Sequence, residues 1–184
     1  MLTLVLGGAR SGKSRYAQSL IGAREAIYLA TARCDADPEM RARISRHRRD
    51  RPQSWTTVEE PEDVPGVVRD AVPLEAPVLV ECVTLWLSNL FARESRAPAR
   101  AQEDVMLKAA RELAVASRLR EVIAVSNEIG SGLVPVNRVG RRFRDLLGWT
   151  NQILAADAAM VVLVVAGLPL VLKGDAVNGP HRKT

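Results

Sequence analysis

Leu2-Thr3-Leu4-Val5-Leu6-Gly7-Gly8-Ala9-Arg10-Ser11-Gly12-Lys13-Ser14 is the stretch whose reading decides the fold. Leu2 to Leu6 is an apolar run of strand length, stopped at once by Gly7-Gly8. Ser14 to Ile21 then carries a helical pattern. Between strand and helix, the residues fit G-x-x-x-x-G-K-[ST] at every fixed position. Glycines there let the backbone curl until its N–H groups face a phosphate, and the helix that follows adds the positive end of its dipole. Gly7, Gly8, Ala9, Arg10, Ser11, Gly12, Lys13 and Ser14 are therefore candidate nucleotide-binding residues. In this motif Lys13 reaches the β- and γ-phosphates as a catalytic cation, and the Ser14 hydroxyl ligates Mg²⁺.

The rest of the chain repeats the strand-then-helix rhythm. Strands are predicted at 26–30, 55–58, 77–82, 121–126 and 160–166, with another at 170–173. Helices are predicted at 38–49, 61–72, 84–92, 102–118 and 137–156, although Pro65-Gly66 interrupts the second of these. The stretch 93–100 reads as a loop, as does Gly130-Ser131-Gly132. Several strands are unbroken apolar runs, the signature of a strand buried on both faces. The reading is a single α/β domain of the P-loop NTPase type, with a mostly parallel sheet and helices on both faces. It spans 1–173, followed by a frayed tail over 174–184.

The 184 residues suit one domain large enough to need no disulfide or metal staple. Hydrophobic residues at 47% and charged residues at 26% exclude a disordered, collagen-like or coiled-coil chain. Cys34 and Cys82 form no metal-type spacing and read as ordinary half-buried or buried side chains. Met1-Leu2-Thr3-Leu4 has no basic leader region, and no apolar run reaches the roughly 18 residues that a spanning helix requires. A reducing cytoplasm is the expected location. Net charge is +5, and with lysines only at positions 13, 108, 173 and 183 the positive charge is mostly arginine. Arginine grips phosphate bidentately, in nucleotides or in nucleic acid.

A phosphate loop usually works with an acid at the end of a neighbouring strand, which helps to hold the Mg²⁺ shell. Glu81, closing Val78-Leu79-Val80, fills that position where many such proteins carry aspartate. Histidines occur only at positions 47 and 181, so any histidine chemistry falls on His47 rather than on the tail. It lies in Arg46-His47-Arg48-Arg49-Asp50-Arg51. A solvated basic helix would carry such a residue idly. Alternatively, arginines bias the imidazole toward its neutral, nucleophilic form, gather nucleotide phosphates, and let it attack phosphorus. Spacing does not choose between these readings.

Taken together, the motifs resemble a known family, the bifunctional adenosylcobinamide kinase and adenosylcobinamide-phosphate guanylyltransferase of cobalamin biosynthesis. The resemblance runs from about Leu2 to Lys173. It includes the phosphate loop, Tyr28-Leu29-Ala30-Thr31-Ala32, and Arg43-Ile44 with His47 and Arg51-Pro52. It continues through Trp55, Thr57 and Glu59, then Glu81-Cys82 with Thr84, Leu87 and Asn89. Its most particular segment is Ser126-Asn127-Glu128-Ile129-Gly130 through Val134-Pro135, Asn137-Arg138, Phe143-Arg144-Asp145, Gly148 and Asn151-Gln152.

The resemblance implies a recombinase-like fold and two reactions. ATP or GTP would phosphorylate the aminopropanol hydroxyl of adenosylcobinamide. His47 would then carry GMP from GTP to adenosylcobinamide phosphate, giving adenosylcobinamide-GDP. It further implies nucleotide contacts from Thr31, Ala32 and Arg33, from Arg48, Arg49, Asp50 and Arg51, and from Glu59 and Glu81. Mg²⁺ is implied as cofactor, held through Ser14 and Glu81. The partners would be ATP, GTP, adenosylcobinamide and its phosphate, in a homo-oligomer such as a trimer with sites between subunits. Glu128 follows an apolar strand, and ligands collect at the C-terminal ends of parallel strands. It or its neighbours are expected to position the corrinoid or the metal shell.

Two rivals use the same loop. A small-molecule kinase would leave His47 idle. A P-loop switch module would recruit nucleic acid through its arginines, but the aromatics, among them Tyr16, Tyr28, Phe91 and Phe143, are scattered rather than interleaved with basic residues. No nucleic-acid partner is expected.

Overall fold

The computed structural model describes residues 1–33 and 52–175. Within them seven strands form one sheet: β1 (Leu2–Gly7), β2 (Ala26–Ala30), β3 (Trp55–Glu59), β4 (Val78–Glu81), β5 (Val122–Asn127), β6 (Met160–Val165) and β7 (Leu168–Lys173). The described helices are α1 (Lys13–Ile21), α2 (Val64–Asp70), α3 (Val83–Arg93), α4 (Ala99–Ala116) and α5 (Arg138–Asp157). The helix expected at 38–49 lies outside the described residues. Sheet order is β3-β2-β4-β5-β1-β6-β7. Every pairing is parallel except β6 with β7, which is antiparallel.

Side-chain alternation along β1 explains why its sequence is apolar at nearly every position. Leu4 and Leu6 enter the larger core, with Val80 and Ala124 from the sheet and Val68, Trp86, Leu113 and Leu147 from α2, α3, α4 and α5. Val5 enters the other core, with Leu79, Val125 and Val162 from the sheet and Ala17 and Ile21 from α1. Both faces are dry, so a polar residue on either face of a central strand would be buried without water.

Several boundaries differ from the sequence reading for local reasons. The helix expected over 61–72 is the shorter α2. The Glu60 carboxylate accepts from the N–H groups of Glu62 and Asp63, at 2.8 and 2.9 Å, and so shapes a turn ahead of the helix. Asp63 then caps α2 by accepting from Gly66 N at 3.0 Å. Pro65-Gly66 is not an interruption, because proline in the first turn gives up an N–H that has no intrahelical partner. Strand β6 stops one residue early because Ala166 and Gly167 form a two-residue hairpin turn, with φ of 52° and 81°. Strand β7 accordingly begins at Leu168, two residues before its predicted start. Lys173 closes the C-terminus of α5, its Nζ donating to the carbonyls of Ala155 and Ala156 at 2.9 and 2.8 Å. No described helix is long and apolar enough to cross a membrane.

One buried arginine shapes the link between α2 and β4. Arg120 donates through Nη1 to the carbonyls of Val68 and Ala71, and through Nη2 to those of Pro73 and Ala76. Burial disfavours its charge, which the Glu75 carboxylate and the four carbonyls support. Arg120→Met should take the guanidinium from these acceptors, of which Pro73 O keeps the Ala76 N–H at 3.2 Å, and lower stability by about 3 kcal/mol, since each orphaned buried acceptor costs roughly 1–3 kcal/mol less whatever water enters. Urea denaturation should show an earlier midpoint with an unchanged slope.

Candidate active site

The loop between β1 and α1 is wound tightly enough to demand its glycines. A Cβ on Gly7 would lie 2.4 Å from Ser11 Oγ and 2.7 Å from the Val164 carbonyl, so nothing larger than hydrogen fits. Gly12 takes φ 92° as the N-cap of α1 and supplies no capping side chain. The first N–H groups of the helix therefore face the loop without a side-chain acceptor. The β6–β7 hairpin braces the loop, with Gly167 N donating to Ser11 O at 2.8 Å. Lys13 is buried, and its Nζ donates to the Gly8 carbonyl at 3.1 Å, so the ammonium lies across the loop.

Glu81 stands at the C-terminal end of β4, and Ser14 in the first turn of α1. Ser14 Oγ donates to Glu81 Oε1 at 2.7 Å. Strand β5 lies between β4 and β1 in the sheet, so this contact crosses the C-terminal end of β5. A hydroxyl and a carboxylate are hard oxygen donors, suited to Mg²⁺ rather than to a thiophilic metal. Among the described residues no group of three or more His, Cys, Asp or Glu side chains could hold a metal. A cation at Ser14 and Glu81 would complete its shell with phosphate oxygens and water, the habit of Mg²⁺.

The adjacent strand ends are joined by side chains that hold backbone. Thr31 is fully buried; its hydroxyl donates to Cys82 O and accepts from Cys82 N, both at 2.8 Å. Burial, with the Glu81 carboxylate beside it, pushes the Cys82 thiol up to about 11, so it stays protonated and inert. Asn89 Nδ2 donates to Thr31 O at 2.8 Å and to Pro61 O at 3.0 Å, tying α3 to the chain leaving β2 and β3. Asn127 N donates to Thr84 Oγ1 at 2.9 Å, and Glu128 N to Gly7 O at 3.1 Å.

Of the candidate residues, the structure gathers Gly7 to Ser14 and Glu81 into one site. Thr31 lies one strand further along the same edge, followed by Ala32 and the exposed Arg33. Arg33 pairs with Glu62 at 2.5 Å, and the other oxygen of Glu62 takes Arg93 at 2.9 Å. Glu59 is exposed at the end of β3, at the far side of the sheet. Glu128 spends its carboxylate on Gly130 N at 2.6 Å, so its side chain shapes the turn after β5. His47, Arg48, Arg49, Asp50 and Arg51 lie outside the described residues. Sequence reasoning missed Glu62 and Arg93. The Glu60 and Asp63 capping pattern signals a rigid turn there, but nothing local announces which arginines meet it.

A phosphate loop paired with an acid across one intervening strand agrees with the family comparison. The model of the cobinamide kinase / cobinamide phosphate guanyltransferase family matches residues 3–172. The chain belongs to this family. The chain is 40% identical over 177 residues to the bifunctional adenosylcobalamin biosynthesis protein CobP of Pseudomonas aeruginosa, covering 95% of this chain and 99% of that one. It is 39% identical over 182 residues to the bifunctional adenosylcobalamin biosynthesis protein CobU of Escherichia coli, covering 94% and 100%. The protein of that name from Salmonella typhimurium is 39% identical over 187 residues, with the same coverage. As a member of the cobinamide kinase / guanyltransferase family the chain is an enzyme, and its fold is that of the P-loop NTPases.

Within this family frame, the Thr31 hydroxyl has a structural duty that a substitution can isolate. Thr31→Val keeps the shape but strands the Cys82 N–H, the Cys82 carbonyl keeping the Trp86 N–H at 3.1 Å, and should cost about 2 kcal/mol of stability. Thr31→Ser should restore most of it. Paired urea titrations of the two variants check this.

Proposed function

We propose that this chain phosphorylates the aminopropanol hydroxyl of adenosylcobinamide with ATP or GTP, then transfers GMP from GTP through His47 to the resulting phosphate. The observation that carries the first step is the Ser14–Glu81 contact beside Lys13 at the phosphate loop. In that step the corrinoid hydroxyl oxygen bonds to the γ-phosphorus as the bond to the bridging oxygen breaks. Nucleoside diphosphate departs, and the hydroxyl proton passes to solvent. The loop amides and Lys13 hold the phosphate oxygens and offset the charge that gathers on them. Mg²⁺, when bound, supplies further charge neutralisation, and Ser14 Oγ and Glu81 are the groups of this chain that would hold it.

The second step is supported by sequence. His47 is the one histidine outside the tail, it stands among arginines, and it matches the family's nucleophile position. One imidazole nitrogen would attack the α-phosphorus of GTP and expel pyrophosphate. An oxygen of the corrinoid phosphate would then take GMP, breaking the N–P bond and returning neutral histidine.

Three substitutions separate these roles. Lys13→Ala should lower kinase turnover about a hundredfold or more, the scale of losing one preorganised charge contact in such a transition state. Glu81→Gln should raise the Mg²⁺ concentration needed for half-maximal kinase rate while the protein keeps its stability. His47→Asn should abolish labelling by GTP carrying a radioactive α-phosphate, yet leave phosphorylation of the corrinoid measurable. The label on the unsubstituted protein should be acid-labile and base-stable, as a phosphoramidate is. Retained labelling in His47→Asn would remove that histidine from the mechanism. Near-normal turnover in Lys13→Ala would remove the phosphate loop.

A further inference from the structure

The chain leaving β5 turns several aliphatic side chains outward. Leu133 and Val136 are 97% and 96% exposed, and Val134 and Val139 are exposed beside them. The segment is not slack. Glu128 Oε1 accepts from Gly130 N, and Asn137 Oδ1 accepts from Gly140 N at 2.6 Å. Arg141 Nη1 donates to the carbonyls of both Pro135 and Val136, at 3.0 and 2.5 Å. Hydrogen bonds at both ends and the middle of the loop thus hold apolar side chains in water, where burial against a partner would be favoured.

Position says what covers them. The Ser14–Glu81 contact crosses the end of β5, and the Glu128 N to Gly7 O bond joins the start of this loop to the phosphate loop. In the phosphate-loop motif the hydroxyl of the Ser14 position marks the γ-phosphate side of a nucleotide. An acceptor hydroxyl must come to that side, on the flank that β5 and its loop occupy. The other exposed aliphatic row, Leu168, Leu170 and Leu172 on β7, lies across β1 and β6 from this flank. The acceptor is a broad, rigid macrocycle with methyl-bearing faces and an amide-bearing rim. It is too wide to enter the phosphate loop, and must rest on the surface beside it while its side chain reaches in.

We propose that the loop over 129–139 is the docking surface for the corrin macrocycle, with Leu133, Val134 and Val136 against its apolar face and the hydrogen-bonded turn holding them in place. This rests on the proposed corrinoid kinase reading and assigns the acceptor a place within it.

The test is the Leu133→Ser/Val136→Ser double variant of the full chain, compared with Leu133→Met/Val136→Ile. The Michaelis constant for adenosylcobinamide in the kinase step should rise about tenfold or more in the serine variant, because apolar contact area is lost. It should stay near the unsubstituted value in the Met/Ile variant. The dissociation constant of a non-hydrolysable ATP analogue, measured without corrinoid, should be the same in all three proteins, as should the mass by light scattering. An unchanged Michaelis constant for adenosylcobinamide in the serine variant overturns the proposal. A change in particle mass, with nucleotide and corrinoid affinity falling together, also overturns it and makes this face a contact between copies of the chain. If the unsubstituted protein fails to phosphorylate adenosylcobinamide while still binding the ATP analogue, the kinase reading itself falls and this inference with it. That result is distinct from a loss confined to the serine variant.

Discussion

The contact between Ser14 Oγ and Glu81 Oε1 is the constraint around which the rest of the molecule is arranged. These residues are 67 positions apart, and β1, which leads into the helix of Ser14, is not a neighbour of β4 in the sheet. For the contact to form, β5 must insert between β4 and β1 in parallel register with both. That register aligns Gly7 with Asn127 and Glu81 with Val125, so the strand ends meet at one edge. Parallel strands place their exits on one side, and a helix beginning there brings its N–H groups to the same place.

The edge is then stiffened by hydrogen bonds that lie outside the phosphate loop. Thr31 clamps Cys82, Asn89 ties Thr31 to Pro61, and Thr84 takes the N–H of Asn127. Ser126 and Asn151 add a buried pair behind β5, Ser126 Oγ donating to Asn151 Oδ1 at 2.7 Å. These bonds pair backbone and side-chain groups that are buried or half-buried at this edge, so losing one would loosen neighbours as well. A site that stabilises developing charge gains from such stiffness, because its dipoles need not reorganise during reaction. Stability and function are thus joined at this edge of the sheet.

Much of this was legible in the residues. Apolar runs at β1, β4, β5 and β6 announce strands covered on both faces, because a strand wetted on one face would alternate. The spacing from Gly7 to Ser14 announces the phosphate loop, because backbone curvature there excludes a Cβ at Gly7 and favours glycine at Gly12. Helix ends were harder. Pro65-Gly66 reads as a break until Asp63 is seen capping that turn. Ala166-Gly167 lacks the Asn-Gly or Asp-Gly signature of a tight hairpin, and its turn follows from the antiparallel pairing of β7.

The sequence by itself marked the candidates for chemistry: a lysine and a serine on a glycine loop, an acid ending an apolar strand, and one histidine among arginines. Residue type and local spacing single out the first three, because backbone curvature and charge belong to a few neighbouring positions, whereas the histidine is singled out by the family resemblance. Only the tertiary structure decided which of them meet. Strand order set Glu81 against Ser14 and left Glu59 at the far edge. The pairing of Glu62 with Arg33 and Arg93, the clamp of Thr31 on Cys82, and the outward aliphatics of 133–136 likewise depend on contacts between distant segments. No short stretch encodes such contacts, because they follow from how helices and strands pack to exclude water from two apolar cores.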